Sequence, residues 1–218
     1  MKRRDFALAC SASLAPFAWA QTATPAQVKG RTPQAGEDYM PLKKTAPVDA
    51  QAGKIEVVEF FWYNCPHCNA FEPSLSSWAQ RLPKDVAFRR VPVAFRSDFE
   101  AQQRLYYTLE AMGLIEKLHT KVFYAIHGER KRLERLDAMT DWIAAQGVDK
   151  AKFVESFNSF SVASKTTRAA QLTTAYNVEG VPAMGVAGRF YTDGTLAKGM
   201  EQVLQVVDYL VGEVRKGR

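Results

Sequence analysis

One stretch constrains this chain more than any other: VVEFFWYNCPHCNAFEP, Val57 to Pro73, where an apolar run stops at two cysteines separated by Pro66 and His67. Val57, Val58, Phe60, Phe61 and Trp62 are β-branched or aromatic, the composition of a strand buried on both faces, and only Glu59 interrupts them. Beyond Asn64 the period changes. Phe71, Leu75, Trp78 and Leu82 are spaced by four, three and four, which puts them on one face of a helix. Pro66 then falls in the first helical turn, where a missing N–H costs nothing, with Cys65 near the N-cap and Cys68 one turn in. Pro73 removes an internal hydrogen bond and predicts a kink.

This placement has a chemical consequence. Unpaired amides and the positive end of the helix dipole favour a thiolate at Cys65, whereas Cys68, deeper and less exposed, keeps its proton more readily. His67 adds to the effect when it is protonated or suitably hydrogen-bonded. A stabilised thiolate is a good leaving group, so the disulfide form is easily attacked by a foreign thiolate and the pair acts as an oxidant. Two other uses fit less well. Structural zinc takes about four ligands, usually in two pairs, and only His67, His119 and His127 accompany the cysteines, with no second CxxC and no HxxxH. No metal site is expected. A purely structural bridge closing so small a loop removes little entropy from the unfolded chain.

The first twenty residues read as an export signal. Lys2, Arg3 and Arg4 precede the apolar FALACSASLAPFAWA, which ends in the small-x-small site Ala18-Trp19-Ala20. Arg3-Arg4 with Phe6 also matches part of a twin-arginine signal, and the sequence leaves the route of export open. Cys10 leaves with this segment, so Cys65 and Cys68 are the only cysteines of the mature chain, in an oxidising compartment. The mature chain is expected to be soluble and exported. Removing residues 1–20 takes away three basic residues and one acid, so the net charge falls from +6 to +4. That charge is too small and dispersed to indicate nucleic acid. The densest basic stretch, ERKRLERL from Glu129 to Leu136, carries its own acids and reads as a solvated helix or loop.

Around the cysteine segment the pattern is that of one sheet interrupted by helices. VAFRRVPVAF, Val86 to Phe95, reads as a second strand, giving the start of a βαβ unit. From Asp98 to about Ser164 the pattern is helical, with stops at Gly113, Gly128 and Gly147 and N-caps at Asp137 and Asp149. Leu105, Leu109 and Met112 share a face, as do Phe153 and Phe157. A further helix runs from about Val162 to Tyr176. Ala183–Val186 and Arg189–Thr192 follow as a hairpin turning at Gly188, and a last amphipathic helix spans Met200 to about Val214 through Val203, Val207, Leu210 and Val214.

EFFWYNCPHCNAFEP with GVPAM downstream resembles the thioredoxin superfamily, and Cys-Pro-His-Cys combined with Val-Pro is similar to its DsbA family of periplasmic thiol:disulfide oxidases. The resemblance covers most of the mature chain. It implies an α/β thioredoxin fold, a central mixed β-sheet flanked by helices, with an inserted all-helical domain. The expected boundaries are a flexible arm at 21–36, a discontinuous thioredoxin-like domain at 37–97 and 165–218, and the insertion at 98–164. It further implies that Cys65 is the attacked cysteine and Cys68 the resolving one. Pro182 is implied to be a cis-proline facing the disulfide, with Val181 presenting its backbone to an extended substrate. Glu59 matches the family's buried acid, whose role is proton exchange with Cys68. A basic partner on the adjacent strand is expected, either Arg89 or Arg90; an arginine cannot give up its proton as a lysine might.

The implied reaction passes the Cys65-Cys68 disulfide to reduced, unfolded, newly exported proteins, with reoxidation by the quinone-linked inner-membrane partner DsbB and no bound cofactor. A monomer is expected. The alternatives are a thioredoxin-fold reductase or isomerase, using the same cysteines at a different redox poise, and a periplasmic chaperone that holds peptides with the cysteines incidental.

Overall fold

A computed structural model describes residues 31–217. The export signal and residues 21–30 of the expected arm lie outside the described residues. At the centre is β2 (Ile55–Phe61), in which every residue is buried. It is flanked by the parallel β3 (Val86–Pro92) and the antiparallel β4 (Ala183–Val186), which explains the continuous apolar run. With β1 (Met40–Pro41) and β5 (Phe190–Asp193) these strands form a mixed sheet of order β1-β5-β4-β2-β3. Successive β2 side chains feed two cores. Val57 packs with Phe71, Leu75 and Trp78 of α1 (Pro66–Ala79) and with Val203, Val207 and Leu210 of α7 (Met200–Arg215). Val58 and Phe60 pack toward the helices inserted between β3 and β4, among them Leu105, Leu109, Leu172 and Tyr176.

Those inserted helices are α2 (Glu100–Ala111), α3 (Ile115–His127), α4 (Leu136–Ala145), α5 (Lys150–Phe157) and α6 (Phe160–Ala175). Gly113 and Gly147 terminate α2 and α4 with φ of +68° and +80°, conformations that glycine adopts without a Cβ clash. Asp149 caps α5, its carboxylate accepting from the Lys152 amide at 2.8 Å. Helix α6 runs unbroken across positions 164 and 165, where the insertion was expected to end.

Several boundaries differ from the sequence reading. Trp62 lies just beyond β2 and stacks on Phe99 with ring centroids 3.7 Å apart. Leu82 falls outside α1, which ends at Ala79 because Pro83 disfavours helix at the residue before it. Helix α1 continues through Pro73. The N-cap of α4 is Arg135; Asp137 sits in the first turn, paired with Arg135, where its charge meets the positive helix end. Strand β3 stops at Pro92, short of Phe95. β5 starts at Phe190 and ends at Asp193. Residues 31–36, read as part of the arm, are tied to the buried Asp38. Its carboxylate lies 2.8 Å from Arg31 Nη1 and accepts from the Gln34 amide at 2.8 Å.

The β4–β5 hairpin holds the loop that faces the cysteines. Gly188 has φ of +67° and donates its amide to the Tyr176 hydroxyl at 2.9 Å, and a side chain there would strike the Ala46 carbonyl. Tyr176 also packs so closely over Gly185 that no Cβ fits between them.

Candidate active site

The chain leaves β2 and enters α1 through Trp62–Asn64, a segment held from the helical side. Gln102 donates to Asn64 Oδ1 at 2.7 Å, Asn64 donates to Glu134 at 3.1 Å, and His127 Nε2 lies 2.8 Å from the Tyr63 carbonyl. Cys65 is the N-cap, with extended backbone (φ −76°, ψ 116°), and Pro66 takes the first helical position. The Cys65 sulfur accepts from the Cys68 amide at 3.4 Å. Its thiol donates to the Val181 carbonyl at 3.3 Å across the cleft between α1 and the loop before β4, and the Val181–Pro182 peptide bond is cis. Pro66 and His67 are exposed at the rim, whereas Cys68 is fully buried.

The two cysteines, both free thiols, have opposite acid–base tendencies. Cys65 is held down to about 6, first by the Cys68 thiol as a hydrogen-bond partner, then by the amides of Cys68 and His67. Burial opposes this, and the charge of His67 contributes least of the favourable effects. Cys68 is pushed far up, by burial first and then by the Cys65 sulfur and the charge of Glu59. The helix terminus thus acts as the sequence suggests, with one refinement: the strongest support for the Cys65 thiolate is its partner cysteine.

Beneath the pair lies Glu59, 1 % exposed, whose partner the sheet register decides. Glu59 stands opposite Arg90 on β3, and Arg90 Nε lies 3.1 Å from Glu59 Oε2. Arg89 points to the other face, where it bonds Glu56 at 3.0 and 3.3 Å and also pairs with Asp49. Burial, only partly offset by Arg90, pushes Glu59 up to about 8, so it holds a proton at neutral pH. The sequence reading missed three members of this buried group. Glu72 of α1 bonds Arg90 Nη2 at 2.7 Å, His119 of α3 places Nε2 3.4 Å from Glu72, and the Tyr63 hydroxyl meets His119 Nδ1 at 2.9 Å. The available signals were an acid beside Phe71 on the apolar face of α1 and a histidine between Leu118 and Phe123 on that of α3. Among the described residues no group of three or more His, Cys, Asp or Glu is placed to hold a metal ion.

The turn from β2 into α1 thus carries two cysteines of opposed acidity, the first facing the carbonyl before a cis-proline. Residues 56–210 match the family model of the DSBA-like thioredoxin domain. The chain belongs to the DsbA-like thioredoxin family. It is 44 % identical to the thiol:disulfide interchange protein DsbA of Azotobacter vinelandii, over 91 % of this chain and 90 % of that one. It is 47 % identical to the protein of the same name from Bordetella parapertussis, over 84 % and 87 %. The crystal structure of Pseudomonas aeruginosa DsbA superposes with a TM-score of 0.81 at 43 % identity, covering 84 % of this chain and 95 % of that one. Like its DsbA-like relatives, this protein is a thiol:disulfide oxidoreductase with a disulfide oxidase role.

Proposed function

We propose that this protein is exported to the periplasm and donates the Cys65–Cys68 disulfide to reduced, unfolded exported proteins. A substrate thiolate attacks the Cys65 sulfur, the Cys65–Cys68 bond breaks, and its electron pair leaves on Cys68. Glu59 gives its proton to the departing Cys68 sulfur, whose burial makes a free thiolate costly. The substrate's second thiolate then attacks its own sulfur in the mixed disulfide. Cys65 leaves as the stabilised thiolate, and the substrate carries the new bridge away. Val181 and Pro182, facing Cys65, present backbone to an extended substrate segment. The two electrons left on the cysteines pass to a quinone-linked membrane reoxidant of the DsbB type, without a bound cofactor.

The observation that carries this reading is the opposed acidity of the two cysteines: the reduced form is stabilised as a Cys65 thiolate, so the disulfide is readily passed on. The test is the redox equilibrium of residues 21–218 in graded glutathione buffers, followed by tryptophan fluorescence with Trp62 as the nearby reporter. Reduction in relatively oxidising mixtures is the expected result. A bridge that persists until the buffer is strongly reducing would indicate a reductase instead.

A further inference from the structure

The buried group beneath Cys68 contains two carboxyls, Glu59 and Glu72, and a single guanidinium, Arg90, lying between them. One full positive charge cannot neutralise two carboxylates out of contact with water, so one carboxyl retains a proton. Which one does so depends on the remaining donors. Glu72 accepts from Ser76 Oγ at 2.5 Å and from Arg90 Nη2 at 2.7 Å, with His119 Nε2 3.4 Å from its second oxygen. Glu59 has Arg90 Nε at 3.1 Å, an approach not aligned for a hydrogen bond, and no other partner; the His119 Nε2 contact with Glu72 is likewise a charge-range approach rather than a formed hydrogen bond, but the other Glu72 oxygen accepts from both Ser76 and Arg90.

His119 is 4 % exposed and enclosed by Phe61, Tyr106 and Phe123. With a charged carboxylate opposite Nε2, the favourable tautomer carries its proton there, and Nδ1 accepts from the Tyr63 hydroxyl. We propose that His119 is a positioning residue: held by Tyr63, it fixes the buried negative charge on Glu72 and thereby leaves the proton on Glu59, the acid that faces Cys68. The kinetic consequence rests on the role given to Glu59 above; the charge placement does not.

The directions of titration agree with this geometry. Glu72 is held below the usual carboxylate range against its burial, by its contact with His119 first and then by Arg90 and Ser76, while burial lowers His119 from its ordinary value. The groups acting on this site come from every element around it: Cys65 at the N-cap of α1, Cys68 and Glu72 within it, Arg90 from β3, Tyr106 from α2, Glu116 beside His119 on α3, and Tyr63 from the turn between β2 and α1. From β4, Met184 faces Glu59 and adds no charge.

The test follows the carboxyl carbons of Glu59 and Glu72 by NMR in the reduced mature protein, with signals assigned through Glu59→Gln and Glu72→Gln. Loss of the donor in His119→Leu should move the Glu59 titration down by about one pH unit and the Glu72 titration up. His119→Gln, which keeps an N–H toward Glu72, should restore most of the shift, and Tyr63→Phe should move both titrations the same way by less. Should His119→Leu fail to fold, Tyr63→Phe carries the same reading. Titrations of both glutamates that superimpose on the unmodified protein in the variants that fold would overturn the proposal. The rate of exchange with a dithiol peptide across pH separates the two readings. A shifted Glu59 titration with an unchanged rate profile upholds the charge placement and overturns Glu59 as the acid. An unshifted titration, alongside an altered profile in Glu59→Gln, does the reverse.

Discussion

Cys65 and Cys68 lie one helical turn apart on α1, yet one is an acid held down to about 6 and the other a thiol that keeps its proton throughout the working pH range. Both lie largely out of contact with water, Cys65 at 7 % exposure and Cys68 at 0 %, so burial alone does not separate them. Burial is the largest cause that raises Cys68, whereas at Cys65 the donors overcome it. At the N-cap, Cys65 meets the Cys68 thiol and two free helical amides. Cys68 faces a carboxyl and the anion of its own partner. Position relative to a helix end thus gives two residues of the same type opposite acid–base tendencies.

The largest expected effect breaks this comparison outright. Cys65→Ser should lower dithiol oxidation by more than about a thousandfold and abolish alkylation by iodoacetamide at pH 7, whereas Cys68→Ser should keep the alkylation and accumulate mixed disulfides. Rapid alkylation of Cys65→Ser would show that the assignment is inverted. Next comes pH. The Cys65 pKa in the folded protein lies below its unfolded value near 8.5, so its stabilisation of the reduced form is complete above that value and is lost as pH falls through about 6. Discounted for solvent screening, the reduced protein should be more stable than the oxidised one by about 2–3 kcal/mol at pH 8, with the margin gone near pH 5. Denaturant unfolding of both forms across this range measures it, and a margin independent of pH would contradict the assignment.

A smaller effect concerns the acid below Cys68. The folded-state pKa of Glu59 is raised, so its cost to stability is absent below the unfolded value near 4.3, grows with pH, and is full above about 8. Glu59→Gln should therefore unfold at a higher temperature than the unmodified protein at pH 8 and at the same temperature at pH 4, while slowing exchange about tenfold at pH 7. The neighbouring Glu56 provides the contrast. It accepts two bonds from Arg89 and one from the Asp49 amide, so Glu56→Gln should cost about 1–3 kcal/mol and leave exchange unchanged. Matching thermal and kinetic profiles for the two variants would remove the distinction between a clamp and an acid. The smallest effect is at the exposed His67. Its charge is the weakest support of the Cys65 thiolate, and His67→Leu should raise the Cys65 titration by less than about one unit, read from thiolate absorbance at 240 nm.

Much of this was legible because the signals are local. The continuous apolar run of β2, the four-three spacing of Phe71, Leu75 and Trp78 in α1, the four-three-four spacing of α7, and Pro66 beside Cys65 placed the cysteine pair at a strand-to-helix turn before any contact was known. β1 was not legible, since two residues carry no period and its pairing with β5 joins segments far apart in the chain. Asp137 misled because an acid serves both as an N-cap and as a first-turn residue, and the helix begins just before it.

By itself the sequence determined the local setting of the two cysteines: a turn from strand into helix, with Cys65 at the helix N-terminus as the more acidic thiol. The choice of Arg90 over Arg89 and the meeting of Glu72, His119 and Tyr63 with Glu59 were decided only by the tertiary structure. A helix end acts on the residue that caps it, so its effect is written in neighbouring letters. A buried charge is balanced across strands and helices, and its partners are fixed by register and packing between segments that the sequence keeps up to sixty positions apart.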